Sequence, residues 1–498
     1  MNDDFLNGTT CRVGTTCEYG ELDKISYEDG EDFTEDDIAN IKEYICNIID
    51  DYVNENMNIY IKYKLESIIK DETTMVFKDY LRLINVHMGD DDMATIINES
   101  IYIYFNLISI PRSFTTCIYT KLDENIVDTR LEYLRSTPQE EQNTPGWFEE
   151  RHKMITASSS WKMFGSESNV NSFVFSKCKP INQSKFTSVN INSATHHGHK
   201  YEPISIKYYE DMYNTTIEEF GCIRSDICEC IGASPDGINV DKTNSKYGYL
   251  IEIKNPVSRE LTGVPKDEYW VQMQQQMFVT GLHKCDFLET VFKEYTNESE
   301  FNDDGTFLKT KEGKDKGIII CFNDGNGPVY KYPDFGISKE EYLKWYDDTL
   351  NTNTHLSWCY NSYWYLKKVS CITIPYNKKW FDQAIPVYIK MWDIIIKERV
   401  EGYDHRKPKT RKKKDEQLKN ECNTKGEGNT KGEGNTKGEG NTKGEGITKG
   451  EGNTKGEDNT KGEGITKGEG ITKCEGNTKG EGITKGEGNT KMVLNMNV

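Results

Sequence analysis

Two signals that would mark membrane or secreted proteins are missing from this sequence of 498 residues. No stretch approaches the roughly 18 apolar residues that a membrane-spanning helix needs. The first ten residues, MNDDFLNGTT, lack the positive charge and apolar core of a secretory signal peptide. We therefore expect a soluble, intracellular protein, and the sequence alone does not distinguish cytoplasm from nucleus.

The cysteines lack a repeated spacing, although the chain has 14 of them. The closest pair, Cys228 and Cys230, has no matching pair elsewhere in the sequence. Neither a zinc knuckle nor an iron–sulfur cluster is therefore indicated. Reduced thiols, as in the interior of a cell, are the simplest interpretation.

An excess of basic residues is also missing. The chain has 81 acidic and 62 basic side chains, a formal net charge of −19 and a pI of about 5.1. This balance argues against a protein that coats nucleic acid over its whole surface. It leaves open a protein whose basic groups line one nucleic-acid-binding groove, because the distribution of charge matters more than its sum.

Composition and periodicity divide the chain into five regions. Residues 1–30 are polar and acidic, and we expect them to be disordered. Residues 31–136 show apolar residues at steps of three and four, which predicts a helical accessory region that either packs or binds a partner. Residues 137–400 alternate helix and strand patterns, which predicts an α/β core with a mixed central sheet flanked by helices. A basic linker, 401–422, and a hexapeptide-repeat tail, 423–498, follow.

The tail repeats NTKGEG or ITKGEG eleven times with small variations. A six-residue period is compatible with a β-helix. Two glycines per repeat and almost no apolar side chains leave little to bury, so we expect a disordered tail. The preceding run HRKPKTRKKK, residues 405–414, is either a nuclear address or DNA tether, or a solvated linker.

The segment LIEIK in the central region carries a candidate catalytic pair. On a strand, Glu252 and Lys254 share one face about 6–7 Å apart, and the neighbouring isoleucines face the other way. A charged pair on a surface strand is unremarkable in energy. Here the flanking residues are apolar, and charges are costly within a buried strand. A functional site is therefore favoured.

An aspartate upstream completes the pattern. Asp236 lies in a Pro-Asp-Gly turn, which alone is an ordinary turn former. With Glu252 and Lys254 it gives PD-x15-E-x-K. Two carboxylates can hold Mg²⁺, and the lysine can orient or help to deprotonate a metal-bound water, which suits phosphodiester hydrolysis. Glu202, on a helix expected to open at Gly198, can add a third carboxylate.

Three further groups of residues surround this pattern. Arg151 and Ser158 can bind phosphate, near Trp147. Tyr269 and Gln272 lie three apart on one helix face. Three histidines in SATHHGHKYE, residues 193–202, suggest a metal site at first sight. No Cys or His motif elsewhere supplies further zinc ligands, so we expect His197 and His199 to lie near DNA or to cap the turn before the helix.

Together these motifs resemble the YqaJ-like viral recombinase (phage lambda exonuclease) family, over about residues 144–295. Five motifs occur in the family's order: Trp147 with Arg151 and Ile155 to Ser158, Gly198 with Glu202, Ser234 to Gly237, Glu252 with Lys254, and Tyr269 with Gln272 and Gln274. The resemblance implies a PD-(D/E)XK, restriction-endonuclease-like core. It also implies Mg²⁺-dependent degradation of duplex DNA from its ends, 5′ to 3′, in recombination and repair, with Mn²⁺ as a substitute ion.

The resemblance implies a role for each matching residue. Asp236 and Glu252 are the implied metal ligands, with Glu202 helping. Lys254 activates the water, and Gln272 helps to orient it. The implied DNA and 5′-phosphate contacts are Arg151, Ser158, Trp147 and Tyr269. Asp226, ten residues before Asp236, is an accessory acid.

Some expectations stay open beside this resemblance. The family implies ring-shaped trimers and a single-strand annealing recombinase as partner, but the helical region and the tail lie outside the matching part. An inserted segment, NVDKTNSKYG, lengthens the spacing between Asp236 and Glu252 without reaching the metal site. The alternatives are a related endonuclease or single-strand nuclease, and a non-catalytic DNA-binding scaffold. The Asn-, Ile-, Tyr- and Lys-rich composition fits an AT-rich genome and, with the family, a large DNA virus.

Overall fold

The computed structural model describes residues 33–115, 121–140, 144–181, 190–191 and 193–407, and seven strands between residues 423 and 496. The expected disordered segment 1–30 lies outside these residues, as does the basic run from residue 408 onwards. The chain divides into two compact units, Met1–Lys407 and Pro408–Val498. None of the helices in the described part is long and apolar enough to cross a membrane.

Four long helices precede the central region. They are α1 (Glu35–Glu55), α2 (Leu65–Leu83), α3 (Asp90–Ile103) and α4 (Glu124–Ser136). A capping box between Thr34 and Asp37 starts α1, because it satisfies two backbone N–H groups that the first turn leaves free. Ile41, Ile45 and Ile49 form its buried face, at the four-residue step that the sequence shows.

In the residues that the structure describes, the central region contains eight α-helices and two sheets. The helices are α5 (Pro145–His152), α6 (Ala157–Ser160), α7 (Glu167–Cys178), α8 (Ala194–Tyr213), α9 (Asp267–Thr280), α10 (Glu298–Asp303), α11 (Lys339–Thr352) and α12 (Lys378–Glu401). The small sheet has the order β1 (Ile155–Thr156), β4 (Ile231–Ala233) and β3 (Ile223–Arg224). Helix α12 contains Pro386 within its length.

The large sheet has seven strands. Their order is β2 (Ile217–Glu218), β5 (Gly237–Asn239), β6 (Leu250–Lys254), β7 (Lys284–Glu294), β10 (Ser357–Pro375), β8 (Lys316–Asn323) and β9 (Pro328–Lys331). Strands β6 and β7 are parallel, and the other neighbours pair antiparallel. Helix α9 connects the parallel pair, as a parallel crossover requires. The mixed α/β class predicted from the sequence is confirmed.

One hydrophobic cluster joins the N-terminal helices to the central region. It includes Ile45 and Ile97 from the first helices and Trp270 and Trp380 from α9 and α12. The two tryptophan rings meet edge to face, with their centroids 4.9 Å apart. The N-terminal helices therefore pack on the central region, which is one of the two roles left open for them.

The described residues of the repeat region form strands that pair in parallel. Each strand is offset from its neighbour by three repeats, so that Asn423 pairs with Asn441 and Lys437 with Lys455. The strands run from β11 (Asn423–Lys425) to β17 (Lys491–Met496). Parallel pairing at a fixed multiple of the repeat is compatible with the β-helix that the sequence analysis weighed against disorder, and the disordered tail stays a prediction that spectroscopy can test.

Candidate active site

Strand β6 presents a carboxylate and an ammonium on one face. The Glu252 side chain is completely buried, whereas 27% of the Lys254 side chain is exposed. Lys254 Nζ contacts Glu252 Oε1 directly. Ile251 and Ile253 point the other way, into a small cluster that includes Leu288. The alternation of a strand thus separates the charged pair from the core behind it.

The turn that carries Asp236 lies against this strand. Asp236 Oδ2 accepts a hydrogen bond of 2.6 Å from the backbone N–H of Ile253. The next residue, Gly237, starts β5, where a Cβ atom would lie 2.3 Å from Ile217 Cγ2. Only glycine lets β5 approach β2 so closely, and Asp236, just before it, lies against Ile253 near the end of β6.

The electrostatics of the site follow from three carboxylates around one lysine. Burial raises the pKa of Asp236 well above its usual range, and the charges of Glu252 and Glu202 raise it further. Burial lowers the pKa of Lys254, but the carboxylates of Glu252 and Asp236 outweigh burial and raise the pKa above its ordinary value. Lys254 is therefore an ammonium ion in the metal-free protein.

Glu202 projects from α8, which begins earlier than expected. The helix starts at Ala194, where Ser193 Oγ accepts a hydrogen bond from the His196 N–H. The three histidines therefore lie within the first turns of α8 and do not cap a turn before it. Gly198 does not open the helix either. Its carbonyl accepts a hydrogen bond of 3.0 Å from Asn255 Nδ2, which ties α8 to the end of β6.

The two elements enclose an open cleft of about 530 Å³. Its lining residues include His199, Glu202, Lys254, Arg259 and Tyr269. The Glu202 side chain is 38% exposed there, and its Oε2 lies 3.7 Å from His199 Nδ1. This contact raises the pKa of His199, because the carboxylate favours the charged ring. The cleft is thus open to solvent and lined by charges of both signs.

The carboxylates fit a divalent ion only in part. Within the described residues, no three His, Cys, Asp or Glu side chains are grouped closely enough to hold a metal ion. Asp236 accepts a hydrogen bond from the residue after Glu252, and Gln276 joins the turn of Asp236 to the Glu252 carboxylate, but Glu202 does not close on them as a third ligand. A pair of carboxylates suits Mg²⁺, which commonly keeps several waters and takes one or two protein carboxylates plus substrate phosphate. The oxygen donors of the pair therefore fit this ion.

Helix α9 brings one face to the site. The Tyr269 ring centroid lies 5.3 Å from Lys254 Nζ. Gln272 is half-buried on the next turn. Gln274 lies elsewhere: its amide donates to the Pro375 carbonyl and accepts from the Asn377 N–H, at 2.9 and 2.8 Å. The second glutamine of the Y-x2-Q-x-Q motif therefore serves the packing of α12 and not the site.

Two residues of the site were missed in the sequence. Gln276 donates a hydrogen bond of 2.6 Å to Glu252 Oε2. It lies four residues after Gln272 and seven after Tyr269, so helical periodicity alone places it on their face. Arg259, in the loop after β6, pairs with the buried Glu289 and lies 5.4 Å from the Tyr269 ring. No local pattern in the sequence marks Arg259.

The candidate phosphate ligands occupy α5 and α6. The guanidinium carbon of Arg151 lies 4.2 Å from the Trp147 ring centroid, a stacked cation–π pair. Lys177 Nζ donates to the backbone carbonyls of Arg151 and Met154, at 3.0 and 2.7 Å. Burial lowers the pKa of Lys177 to about 7. Ser158 is exposed on α6.

Asp226 is not part of this group. Its Oδ2 accepts a hydrogen bond of 2.9 Å from Arg130 Nη1 on α4. It is also absent from the charges that raise the pKa of Asp236. The expected accessory acid thus forms a surface ion pair, because the loop between β3 and β4 carries it towards α4.

Comparison with known proteins finds a family profile that matches part of this chain. The profile of the YqaJ-like viral recombinase domain matches residues 146–283, which include all five motifs. An uncharacterized protein, R354, of Acanthamoeba polyphaga mimivirus is 29% identical over 333 residues. The aligned part covers 59% of this chain, and the chain spans only 59% of that relative's length.

Solved structures of exonucleases are also similar. An alkaline exonuclease (LHK-Exo) from Laribacter hongkongensis is 21% identical, covers 53% of this chain and 95% of its own, and has a TM-score of 0.29. A phage-related exonuclease from Haemophilus somnus 129PT is 13% identical, with coverages of 49% and 96% and a TM-score of 0.26. Scores this low do not define a shared activity.

Proposed function

Because residues 146–283 match the YqaJ-like viral recombinase domain, we propose that this chain is a metal-dependent deoxyribonuclease. It hydrolyses double-stranded DNA from its ends, in the 5′ to 3′ direction, in viral recombination or repair. The observation that carries the proposal is the convergence of Asp236, Glu252 and Lys254 at the end of β6. The mimivirus relative supports a viral origin.

Asp236 and Glu252 would hold Mg²⁺, or Mn²⁺ in its place, with Glu202 approaching from α8. Such an ion supplies a Lewis acid for the phosphate and an acidified water as nucleophile. Lys254 is protonated, so it acts as a hydrogen-bond donor that orients the attacking water and the phosphate oxygens. Gln272, one turn beyond Tyr269, adds a second donor on the same side.

The preference for ends would come from α5 and α6. Arg151 stacks on Trp147 and presents a fixed guanidinium, which binds a phosphate through two parallel hydrogen bonds. Ser158 adds an exposed hydroxyl, and Tyr269 contacts the DNA from the cleft. A terminal 5′ phosphate has one more ionisable oxygen than an internal phosphate, and a site built on arginine favours that extra charge.

A ring-shaped trimer and a single-strand annealing recombinase as partner belong to this proposal. They follow from the family and not from contacts of this chain. The alternative functions are a related endonuclease or single-strand nuclease, and a non-catalytic DNA-binding scaffold. The carboxylate pair around Lys254 favours catalysis over the scaffold, because burying charge is costly and groups with perturbed pKa values cluster at functional sites.

The test uses the full chain with Mg²⁺ and four substrates: a circular duplex, a linear duplex with 5′ phosphates, the same duplex with 5′ hydroxyls, and single-stranded DNA. The proposal expects loss of nucleotides from the 5′ ends of the linear duplex, faster with 5′ phosphates, and an intact circle. Cleavage of the circle would establish an endonuclease. Inertness on all four substrates would favour the scaffold.

A further inference from the structure

Helix α9 carries three consecutive glutamines whose side chains are completely buried, Gln274 to Gln276. Successive side chains of a helix point in different directions, so each one meets a different part of the fold. Buried amides need hydrogen-bond partners. Gln274 finds them next to α12. Gln275 donates to the Ile155 and Gly232 carbonyls, both at 2.8 Å, and accepts from the Tyr388 hydroxyl.

Gln276 differs from its two neighbours, because it contacts a carboxylate. Its Nε2 donates to Glu252 Oε2 at 2.6 Å and to the Ser234 carbonyl at 3.2 Å. One amide therefore connects β6, which carries Glu252, to the turn that carries Asp236. The orientation of the amide follows from chemistry, since the opposite one would set two acceptor oxygens against each other.

The other end of this amide has no partner. Gln276 Oε1 and Ser234 Oγ are both buried without a hydrogen bond in the described part of the chain. Replacing Gln276 by an apolar residue would remove this unpaired acceptor, but it would also leave Glu252 Oε2 and the Ser234 carbonyl without the N–H donor that now satisfies them. The presence of a glutamine at position 276 is explained by the hydrogen bond that its N–H group donates to Glu252.

The two donors on Glu252 have different effects. Lys254 contacts Oε1 and brings a positive charge, so a metal ion must compete with the ammonium for the Glu252 carboxylate. Gln276 holds Oε2 with a neutral donor and leaves the negative charge intact. Each carboxylate oxygen has two lone pairs, so both oxygens can still accept another ligand. The amide thus fixes the orientation of the carboxylate without weakening its attraction for a cation.

We propose that Gln276 is a positioning residue, which holds Glu252 and the Asp236 turn in the geometry that binds the divalent ion. This inference rests on the proposed function of the site. Hydrogen-bond partners of metal ligands typically change metal affinity by about 10–100-fold when removed. The same range is expected for Gln276.

The test compares Gln276→Met with the control Gln275→Met. Both replace a fully buried amide on the same helix, but Gln275 touches no candidate ligand. Three quantities are measured: Mn²⁺ affinity of the DNA-free protein by calorimetry, the melting temperature in EDTA, and kcat and KM on linear duplex DNA. Gln276→Met should weaken Mn²⁺ binding about 10–100-fold and lower kcat at unchanged KM. Gln275→Met should lower the melting temperature and keep the Mn²⁺ affinity.

Equal Mn²⁺ affinity in Gln276→Met and wild type would overturn the inference and leave Gln276 a packing residue. If Gln276→Met does not fold, Gln276→Asn replaces it. Asparagine keeps the amide but is one methylene too short for both contacts, so weakened Mn²⁺ binding is again expected and unchanged binding again refutes. A wild-type protein that neither binds Mn²⁺ nor cuts DNA would instead refute the proposed function itself.

Discussion

Replacing Lys254 by methionine separates the contribution of its charge to catalysis from its contribution to stability. Methionine keeps the length of the side chain beside Tyr269, and it removes the ammonium that contacts Glu252. A positioned donor or acid–base group typically contributes about 10²–10⁴-fold to the rate. At about 1.4 kcal/mol per factor of ten, the barrier should rise by about 3–5 kcal/mol.

The stability change is smaller and follows from burial. Removing one partner of a fully buried ion pair costs about 3–5 kcal/mol, whereas an exposed pair contributes about 0–1 kcal/mol. Lys254 is about a quarter exposed, and Glu252 keeps its bond from Gln276. We therefore expect Lys254→Met to lose about 1–3 kcal/mol of unfolding free energy in EDTA.

The control for this experiment is Thr373→Val. Thr373 Oγ1 donates to the buried Asp286 at 2.6 Å, in a network outside the candidate site. Its loss should cost about 1.5–3 kcal/mol of stability, as for other hydrogen bonds to charged groups. Initial rates on 5′-phosphorylated duplex and urea unfolding in EDTA are measured for both variants. A Lys254→Met protein that cuts at the wild-type rate, or no more slowly than Thr373→Val, refutes the assignment of the site.

Three further outcomes are expected. Arg151→Lys keeps the charge but loses the flat surface stacked on Trp147, so the ratio of rates on 5′-phosphate and 5′-hydroxyl ends should fall about tenfold; an unchanged ratio contradicts the phosphate site. The raised pKa of Asp236 means that its contribution to stability is present below the unfolded pKa of about 3.9 and is lost as the pH rises through the folded pKa. Asp236→Asn should remove this part of the pH dependence. The measurement is the unfolding free energy from urea unfolding in EDTA at pH 5 and pH 8, and an equal change between the two pH values in wild type and variant would contradict the prediction. A peptide of residues 423–498 should give the far-ultraviolet circular dichroism of a disordered chain, and a β-sheet spectrum would reject that prediction.

Local periodicity was sufficient to predict features that depend on a single strand or helix. The alternation in LIEIK predicted that Glu252 and Lys254 share a face, and β6 places them so. The spacing of Tyr269 and Gln272 also predicted a helix there, and α9 contains both residues. The strongest signals are thus periods of two and 3.6 residues, which reflect burial on one face.

Contacts between distant segments could not be predicted in the same way. Gln276 meets Ser234 across 42 residues, and Arg259 meets Glu289 across the β6–β7 pair. Asp226 has the spacing of an accessory acid but turns to Arg130, 96 residues earlier. Such partners depend on how loops cross the sheet, which composition and spacing do not encode.

The start of α8 shows a different limitation. A glycine and a proline, Gly198 and Pro203, both lie within the helix. Each weakens helix propensity, so the sequence suggested a later start. Packing of Tyr201 against Phe292, with the rings stacked at 4.5 Å, outweighs these local costs. The Ser193 cap marks the start of the helix, and tertiary packing of this kind supports the helix beyond it.

Metal binding by the two carboxylates should be visible without DNA. Burial raises the pKa of Asp236 and the charge of Glu252 raises it further, so the two carboxylates repel each other in the metal-free protein when both are ionised. A ligand that binds only the folded state adds stability as the logarithm of its concentration, about 2.7 kcal/mol at 100 times its dissociation constant. Mg²⁺ should therefore raise the melting temperature of the wild type.

The control is Asp236→Asn, which removes the repulsion together with one ligand. This variant should melt higher than wild type in EDTA and respond little to Mg²⁺. An equal rise in melting temperature with Mg²⁺ in wild type and variant would show that the ion binds elsewhere. This conclusion does not depend on the result of the nuclease assay. Melting temperatures thus test ion binding, and the nuclease assay tests catalysis. If Asp236→Asn stabilises the protein and abolishes cleavage, the repulsion between the two carboxylates is a cost in stability that the active site requires.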